Sequence, residues 1–481
     1  MKLDGLMVGV SGVRGEVGKS LTPEIVSTFA AAFGYWATRD GRSKAIVVGR
    51  DSRVSGPMFT RAVHAALQSV GCNVIDIGMA PTPTVQLAVE YHHAAGGLAI
   101  TASHNPIQWN ALKFIGPQGL FLSADEGAAM RKYLDAPIPR AQWNELGKIA
   151  DDGGAVARHV AQILALPFLD VEGIRSHHYR VALDCCHGAG DTIMPVILHE
   201  LGCEVFAIHT EPNGLFNRPP EPVAENLTEL EDLVKATGAV VGFATDPDVD
   251  RLALVGNHGK ALGEDYTLAL AVRTVLKYRP GTVVTNLSTS RVVKDVADAF
   301  HVPFKFAKVG EVNVALTMRD EKSTIGGEGN GGVILPELHL GRDAPLAVAL
   351  ILQLLHEENK SLLQFVDESP RYVIVKDKLD AANVLLDDVY TELQQTFPDA
   401  SANVEDGLRL DWDDRWVHLR PSGTEPIIRV IAEAPTEAEA RALISDARRP
   451  LESLMQRTAA ATRMDAQADA LESANANATV V

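Results

Sequence analysis

The sequence contains AIVVG at residues 45–49, a run of β-branched and small apolar residues that closes on a glycine. Such a run is typical of a strand that is buried on both faces in a parallel sheet. A segment with helical periodicity follows over residues 58–68, and strand patterns follow over 73–77 and 97–101, with a helix opened by Pro83 between them. The order strand, helix, strand, helix, strand predicts a parallel sheet with crossover helices.

A similar unit recurs further along the chain. The segment SVGCNVIDI at residues 69–77 resembles ELGCEVFAI at 200–208, and AFHVPFKF at 299–306 is a weaker third copy. Each reads as the end of a helix, a turn and a strand, so the economical prediction is three α/β domains built on one plan. Beyond Ser369 the pattern changes to a strand, a helix, three short strands and a last helix from about Thr436, which predicts an α+β domain.

These patterns divide the chain into four predicted domains and a tail. The α/β domains are predicted over residues 1–155, 156–256 and 257–368, and the α+β domain over 369–456. Residues 457–481 are rich in Ala, Asn and Thr and have no periodic apolar face, so we expect a disordered tail there.

Composition and charge exclude several classes of protein. The 481 residues carry a net charge of −18, which argues against a nucleic-acid binder and against a protein of anionic membranes. The N-terminus has no apolar signal core, and the longest apolar run, residues 346–355, is too short to span a bilayer. The four cysteines show no C-x-x-C spacing, so we expect a cytoplasmic protein with free thiols.

The first loop that could carry catalytic residues is TASHNP at residues 101–106, at the end of the strand predicted over 97–101. A serine at the mouth of a sheet, followed by Pro106, can be held exposed and rigid as a nucleophile. Lys113, in WNALK at 109–113, adds an ammonium that could reach the same pocket. The alternative is a simple turn in which a hydroxyl closes the strand.

The second loop is DPDVDR at residues 246–251, after a strand predicted over 239–243. Three carboxylates at alternate positions repel one another unless a cation joins them, and Mg²⁺ prefers such oxygen ligands. The spacing excludes an EF-hand, because its sixth position is Arg251 rather than glycine. The alternative is a solvated acidic turn.

Two further loops could hold a sugar phosphate. GGEGNGG at residues 326–332 offers Glu328 and Asn330 on a backbone that a ligand can approach closely, which suits sugar hydroxyls. RPSGTEP at residues 420–426 combines an arginine, two hydroxyls and a glycine, the groups that enclose a phosphate dianion. A flexible turn is the alternative for the first, and a turn without a ligand for the second.

The N-terminal region contributes two more candidates. Residues 11–20 end like a P-loop, but Val13 stands where that motif requires glycine, and the first helix is predicted to begin only at Pro23 after an N-cap at Thr22. Arg14 remains as a phosphate or catalytic contact. The turn GRDSR at residues 49–53 either contacts the ligand or holds its loop through an Asp–Arg pair.

Together the four loops resemble the motifs of the α-D-phosphohexomutase superfamily, in the family's order and over about residues 10–433. The resemblance implies four domains around a central cleft. It also implies an isomerase that moves a phosphate between the C1 and C6 oxygens of a hexose. The substrate would be a phosphorylated hexose, with Mg²⁺ as cofactor and a hexose 1,6-bisphosphate as activator.

The resemblance also implies roles for individual residues. Ser103 would carry the transferred phosphate and contact the metal held by Asp246, Asp248 and Asp250. Glu328 would bind sugar hydroxyls, with Lys308 and Asn330 nearby. The remaining catalytic positions would be Arg14, His104, Lys113 and Arg251. The clamp for the other phosphate would be formed by Arg420, Ser422, Gly423 and Thr424.

Three departures from the family pattern bear on function. Pro247 replaces a usual glycine, although the three aspartates remain, and Ala111 likewise replaces a glycine. Asn330 and Gly332 stand where many members have serine and histidine, so any acid–base role of that histidine must fall to another group. The variants QWNALK and GEGNGG look most like phosphoglucosamine-mutase-like members, which favours glucosamine phosphate as substrate.

Other functions remain open on the sequence alone. A phosphoglucomutase/phosphomannomutase is the nearest alternative. A Mg²⁺-dependent sugar phosphatase would use the same aspartates, and a sugar-phosphate sensor would bind without turnover. The intact Ser103 and aspartates argue against the sensor, and the clamp argues against the phosphatase. We expect a monomer or homodimer that binds neither nucleic acid nor membrane.

Overall fold

The computed structural model describes residues 5–10, 12–41, 43–380, 386–421 and 427–453. The chain forms two compact units, divided between Pro370 and Arg371. The predicted tail at 457–481 lies outside the described residues, as do clamp residues Ser422, Gly423 and Thr424. The predicted domain boundaries within the first unit stay predictions.

The first sheet has seven strands in the order β1-β2-β6-β5-β3-β4-β7. Its strands are β1 (Met7–Val8), β2 (Gly12–Glu16), β3 (Ala45–Arg50), β4 (Asn73–Met79), β5 (Gly96–Ile100), β6 (Trp109–Ile115) and β7 (Ile149–Asp151). The helices between them are α1 (Pro23–Thr38), α2 (Gly56–Ser69), α3 (Thr82–Tyr91) and α4 (Ala124–Asp135). Helix α1 begins at Pro23 after Thr22, as predicted.

The second sheet has five strands in the order β12-β11-β10-β8-β9. They are β8 (Arg180–Asp184), β9 (Glu204–Ile208), β10 (Val241–Thr245), β11 (Leu252–Gly256) and β12 (Lys260–Ala261). The accompanying helices are α5 (Ala155–Leu164), α6 (Val171–Ser176), α7 (Met194–Glu200) and α8 (Thr228–Thr237).

The third sheet has four strands in the order β14-β13-β15-β16. They are β13 (Val283–Asn286), β14 (Phe304–Ala307), β15 (Ile325–Glu328) and β16 (Gly332–Ile334). The helices are α9 (Glu264–Leu276), α10 (Arg291–Ala299), α11 (Glu311–Asp320), α12 (Ala344–Glu358) and α13 (Leu362–Glu368).

All three sheets repeat one topology, β6-β5-β3-β4 in the first, β11-β10-β8-β9 in the second and β16-β15-β13-β14 in the third. In each, the third strand of this order is parallel to its two neighbours, and the first and second strands are antiparallel. In every case the segment that connects this antiparallel pair contains residues of a loop that the sequence singled out as a candidate site. These segments are residues 101–108, 246–251 and 329–331. The prediction of three related α/β domains with mixed sheets is confirmed.

Each repeated segment of the sequence contains the turn between a helix and the strand that follows it, which is β4, β9 or β14. Gly71 lies between α2 and β4 with φ +80°, and Gly202 lies between α7 and β9 with φ +72°. The third copy places His301 between α10 and β14 with φ +55°. A left-handed residue that ends a helix before a strand explains why two of these turns use glycine.

Several strand bounds differ from the prediction. The strand before the aspartates is Val241–Thr245 rather than 239–243, and β3 continues through Gly49 to Arg50. The apolar run at 239–244 has no internal period, so its register with β8, where Val241 pairs with Val181, decides where the strand begins. This shift places Asp246 directly after the last strand residue.

The second unit contains one antiparallel sheet in the order β17-β21-β20-β19-β18. Its elements are β17 (Val373–Asp380), α14 (Leu386–Thr396), β18 (Ser401–Asn403), β19 (Leu408–Asp411), β20 (Trp416–Pro421) and β21 (Ile427–Ala434), with residues 437–453 helical. Four strands follow α14, one more than predicted, because the three-residue edge strand β18 has no apolar alternation. The predicted α+β class of this domain is confirmed.

The apolar run at 346–355 belongs to α12, which is buried among neighbouring elements. No helix in the described ranges is both long and apolar enough to cross a membrane. The cysteines are free, with Cys72, Cys185 and Cys186 buried and Cys203 half-buried.

Candidate active site

Ser103 lies in the link between β5 and β6 with φ +48°, a left-handed conformation that is uncommon for a residue other than glycine. Its backbone N–H donates to Thr101 Oγ1 over 2.9 Å, and Thr101 Oγ1 donates in turn to Asp51 Oδ2 over 2.7 Å. These bonds hold the backbone of the turn at Ser103.

Arg53 holds the backbone of this loop through hydrogen bonds to its carbonyl oxygens. Its guanidinium is buried, and its Nε donates to Asp51 Oδ2 over 3.1 Å. Its two Nη atoms donate over 2.6–2.8 Å to the carbonyl oxygens of Ser103, Asn105, Pro106 and Trp109. Of the two interpretations of residues 49–53, the structure therefore supports the Asp–Arg pair that holds the loop.

The hydroxyl of Ser103 contacts the second loop. Ser103 Oγ donates to Asp246 Oδ2 over 2.7 Å and lies 3.3 Å from His104 Nδ1. The prediction that Ser103 is exposed is wrong: the residue is 6% exposed, because the aspartate loop covers the hydroxyl. The family resemblance implied that Ser103 contacts the metal held by the aspartates, and this hydrogen bond brings the two loops together.

The aspartate loop is strained and held from two sides. Val249 at its centre has φ +64°, which is an outlier for a β-branched residue. Its carbonyl oxygen accepts from the backbone N–H of Ala344 at the start of α12, and the carbonyl of Asp248 accepts from Thr82 at the start of α3. These bonds hold a conformation in which the three carboxylates point inward.

Asp246, Asp248 and Asp250 form a group that fits a divalent cation. They are at most 1% exposed, and one oxygen of each lies within 4.8 Å of the others. Oδ1 of Asp248 and Oδ1 of Asp250 are buried and have no hydrogen-bond partner among the described residues. Buried carboxylate oxygens without a hydrogen bond are costly, and a hard cation such as Mg²⁺ is a partner that they fit.

Lys113 Nζ also neutralises this group, as it lies 2.6 Å from Asp248 Oδ2 and 3.3 Å from Asp250 Oδ2. Burial acts to raise the pKa of Asp248, but the Lys113 ammonium and the hydrogen bonds of Asp248 with Asp246, Lys113 and Thr82 together lower that pKa. Burial and the two neighbouring carboxylates raise the pKa of Asp246. Burial opposes the charge of Lys113, yet the aspartates raise its pKa and keep the ammonium protonated.

His104 and Arg251 both contact Glu221, a residue outside every motif found in the sequence. Arg251 Nη1 contacts Glu221 Oε1, and His104 Nε2 lies 3.3 Å from Glu221 Oε2. Burial, together with the charge of Arg251, lowers the pKa of His104 to about 2, so its imidazole is neutral. Arg14 Nη1 donates to Asn105 Oδ1 over 3.2 Å on the same loop as Ser103.

Glu328 ends β15 and is 4% exposed. Its Oε1 accepts from Asn286 Nδ2 over 2.8 Å and from the backbone N–H of Gly310 over 3.0 Å. Asn330 Nδ2 lies 3.5 Å from its Oε2. Lys308, just before Gly310, is exposed.

Arg342 connects this loop with the aspartates, and sequence analysis missed it. Its Nη1 donates to Glu328 Oε2 over 2.8 Å, and its Nη2 donates to Asp250 Oδ2 over 2.6 Å. Arg342 lies two residues before the start of α12 and belongs to no motif, so only the three-dimensional fold reveals its contacts. The structure thus joins the Ser103, aspartate and Glu328 loops within the first unit.

Arg420 lies in the second unit, near the end of β20. Its Nε is 3.5 Å from Asp406 Oδ2. The other three predicted clamp residues, at 422–424, lie outside the described residues.

Comparison with known proteins covers nearly the whole chain. Four family models of the "Phosphoglucomutase/phosphomannomutase" group match: alpha/beta/alpha domains I, II and III and the C-terminal domain. They match residues 5–137, 157–259, 263–372 and 372–449 respectively.

Curated relatives extend over almost the same length. A "Phosphoglucomutase/phosphomannomutase" from Thermococcus kodakarensis is 37% identical over 443 residues, which is 91% of this chain and 96% of that protein. A "Phosphoglucosamine/phosphogalactosamine mutase" from Sulfurisphaera tokodaii is 33% identical, over 93% of this chain and 99% of that protein. The crystal structure of a phosphoglucomutase/phosphomannomutase family protein from Burkholderia thailandensis superposes with a TM-score of 0.81 at 25% identity, covering 93% of this chain and 97% of that one.

Proposed function

Because the chain belongs to the phosphoglucomutase/phosphomannomutase family, it is a phosphohexomutase, and we propose that it interconverts glucosamine 6-phosphate and glucosamine 1-phosphate through a phosphoserine at Ser103. The observation that carries the mechanism is the 2.7 Å hydrogen bond from Ser103 Oγ to Asp246. It places one hydroxyl against a group of three buried carboxylates.

A phosphate on Ser103 requires a cation at this position. Phosphoserine carries about −1.5 to −2 charge at pH 7, and Asp246 would repel it at the present distance. Asp246, Asp248 and Asp250 would hold Mg²⁺ through oxygens that include the Oδ1 atoms of Asp248 and Asp250, which accept no hydrogen bond from the residues that the structure describes. When bound, the ion would offset the charge of the transferring phosphoryl group.

The reaction consists of two phosphoryl transfers. In the first, the P–Oγ bond of phosphoserine breaks and a P–O bond forms to the free hydroxyl oxygen of the hexose monophosphate, which gives a 1,6-bisphosphate. The proton of that hydroxyl leaves, and Ser103 regains a hydroxyl. After the sugar turns over, its other phosphate returns to Ser103, and added hexose 1,6-bisphosphate would prime unphosphorylated enzyme in the same way.

The charged residues around Ser103 would stabilise these transfers by position and charge. Lys113 is protonated and lies against the aspartates, so it supplies positive charge beside the phosphate. His104, neutral and 3.3 Å from Ser103 Oγ, can hydrogen-bond to a phosphate oxygen. Arg14 and Arg251 would contact the phosphates of the substrate.

Glu328 would accept hydrogen bonds from sugar hydroxyls, with Lys308 and Asn330 beside it. Arg420 and residues 422–424 would bind the phosphate that is not transferred, since an arginine beside a segment with two hydroxyls and a glycine matches a phosphate dianion.

The choice of glucosamine rests on Asn330 and on relatives. Asn330 offers an amide, which can accept a hydrogen bond from an amine as well as donate to a hydroxyl. The relative from Sulfurisphaera tokodaii is named for glucosamine and galactosamine phosphates. The relative from Thermococcus kodakarensis is named for glucose and mannose phosphates, which makes those sugars the second candidates.

The test compares kcat/KM for the 1-phosphates of glucosamine, glucose and mannose, each with its 1,6-bisphosphate. We expect the glucosamine compound to react most efficiently, with activity on glucose phosphate at a lower level, because one polar contact changes binding by only about 0.5–1.5 kcal/mol. A faster reaction of glucose or mannose phosphate would contradict the specificity. Release of inorganic phosphate instead of isomerisation would indicate a phosphatase, and binding without turnover a sensor.

A further inference from the structure

Gly332, the first residue of β16, is a glycine for reasons of space. Its φ lies outside the left-handed region, so its backbone suits any residue. A Cβ atom at this position would lie 2.2 Å from Cδ and 2.9 Å from Cγ of Arg342. The aliphatic stem of Arg342 therefore occupies the volume that any side chain at 332 would need.

Arg342 cannot easily leave that volume, because its charged end is held by three acids. Nη2 donates to Asp250 over 2.6 Å, Nη1 donates to Glu328 over 2.8 Å, and Nε lies 3.1 Å from Glu311 Oε2. The backbone N–H of Arg342 also donates to Glu311 Oε1 over 3.2 Å. The side chain is 7% exposed, so these contacts are shielded from water.

The three acids come from three different segments. Asp250 lies in the aspartate loop, residues 246–251. Glu328 is the last residue of β15, and Glu311 is the first residue of α11, directly after the loop that contains Lys308. One planar guanidinium therefore sets the positions of two carboxylates with different tasks. A lysine could keep the charge, but it could not reproduce the geometry of the fork.

We propose that Arg342 is a positioning residue for the phosphohexomutase reaction, filling the volume beside Gly332 and fixing Glu328 relative to Asp250. This rests on the proposed function of Glu328 in binding sugar hydroxyls. Arg342 holds the sugar-binding carboxylate in register with the metal carboxylate, and hence with the phosphoryl group at Ser103. The reacting hydroxyl is thereby placed for in-line attack.

The first experiment compares Arg342→Lys with wild type and with the control Arg273→Lys, whose two bonds to Glu358 lie away from the site. Displacement of the substrate by about 1 Å costs up to about 100-fold in rate. We therefore expect kcat to fall about 10- to 100-fold in Arg342→Lys, and to stay near wild type in the control.

A second readout separates positioning from a structural role. In wild type, removing the sugar hydroxyl that Glu328 binds, in a 3-deoxy or 4-deoxy analogue of the best substrate, should lower kcat/KM by about tenfold or more. In Arg342→Lys this penalty should shrink to about threefold or less, because Glu328 is no longer fixed. An equal decrease of kcat/KM in Arg342→Lys and in wild type would overturn the proposal. So would a wild-type enzyme whose kcat/KM is the same for the substrate and for both deoxy analogues.

The steric relationship provides an independent test that does not require Arg342→Lys to fold. Gly332→Ala should lower kcat at least about tenfold by displacing Arg342. In the background Arg342→Ala the same substitution should have almost no additional effect. Gly329→Ala is the matched control: its Cβ would meet Asp265 Oδ1 at 2.1 Å, so Arg342→Ala should not relieve it.

Equal effects of Gly332→Ala in both backgrounds would overturn the proposal. So would a Gly332→Ala enzyme with the kcat of wild type. Wild-type turnover is measured first with each hexose 1-phosphate and Mg²⁺, so a failure of the proposed function is seen as an inactive wild type. A failure of this inference is seen as an active wild type with additive effects.

Discussion

Ser103 Oγ and Asp246 Oδ2, 143 positions apart in the chain, lie 2.7 Å from each other. Ser103 lies in the loop between the antiparallel strands β5 and β6, and Asp246 lies in the loop between the antiparallel strands β10 and β11. Equivalent loops of two related sheets therefore meet. The third equivalent loop reaches the same group through Arg342. A repeated topology thus brings Ser103, three buried carboxylates and Glu328 to one place.

The buried pair of Arg53 and Asp51 should be required for the shape of the Ser103 loop. Arg53→Gln leaves Asp51 buried without its cation and removes donors to four carbonyl groups. Breaking such a pair typically costs about 3–5 kcal/mol, so we expect a lower urea midpoint and faster proteolysis within residues 101–109. Arg50→Gln, which loses one bond to the carbonyl of Asp51, is the control and should change both little.

Mg²⁺ binding should depend on Asp248. Asp248→Asn removes a charged ligand, and we expect the affinity for Mg²⁺, measured by titration calorimetry, to fall at least about tenfold. Chelation should abolish turnover of wild type, and Mg²⁺ should restore it. The exposed Asp232→Asn should bind Mg²⁺ as wild type does. Equal affinities of the two variants would show that the metal binds elsewhere.

Arg420 should contribute to substrate binding. Arg420→Ala removes a charge-assisted contact worth about 1.5–3 kcal/mol, which corresponds to a decrease of about 10- to 150-fold in kcat/KM. Most of the effect should be on KM, although kcat can also fall if the clamp orients both half-reactions. Arg415→Ala, at an exposed arginine of the same unit, is the control. An unchanged kcat/KM in Arg420→Ala would place the phosphate site elsewhere.

His418 should make the second unit sensitive to acid. Its side chain is buried and contacts the carbonyl oxygen of Asp406, and burial lowers its pKa from 6.5 to about 4. The folded state therefore binds fewer protons than the unfolded state between these values. The contribution to stability is complete above the unfolded pKa and decreases as the pH falls.

At about pH 5 the loss should reach about 2 kcal/mol. Hydrogen exchange of residues 416–421 in the full chain, corrected for intrinsic rates, should show this decrease. His418→Gln keeps a donor without a titrating group and should reduce the pH dependence. An equal pH dependence in both proteins would assign the effect to other groups.

The sequence predicted the loops better than the contacts between them. Ser103 and the three aspartates follow strands with an apolar pattern, and Glu328 lies in a glycine-rich segment, where it is the last residue of β15. Loops at strand ends of this kind meet at one edge of their sheets. The pairing of Arg342 with Asp250 spans 92 positions and has no local pattern. The pairing of Glu221 with His104 has no local pattern either. The absence of a side chain at 332 was visible in the sequence, but only the fold shows that Arg342 fills its place.

Burial was the other limit. Ser103 looked exposed because its own turn contains small and polar residues, whereas its cover comes from the second sheet. For residues 49–53 the sequence left two alternatives open, and the bonds of Arg53 to Asp51 and to the loop carbonyls support the pair that holds the loop. Neither the burial of Ser103 nor the choice between these alternatives can be read locally, because both depend on segments that are distant in the chain.

Ser103 should carry the phosphate that is transferred. Intact mass spectrometry with peptide mapping of the isolated enzyme should find a phosphate on Ser103, and Ser103→Ala should not convert hexose 1-phosphate to hexose 6-phosphate in the presence of Mg²⁺ and the 1,6-bisphosphate. Ser52→Ala, which loses only a bond to the carbonyl of His187, should retain both the phosphate and turnover. A Ser103→Ala enzyme with the full activity of wild type would contradict the account.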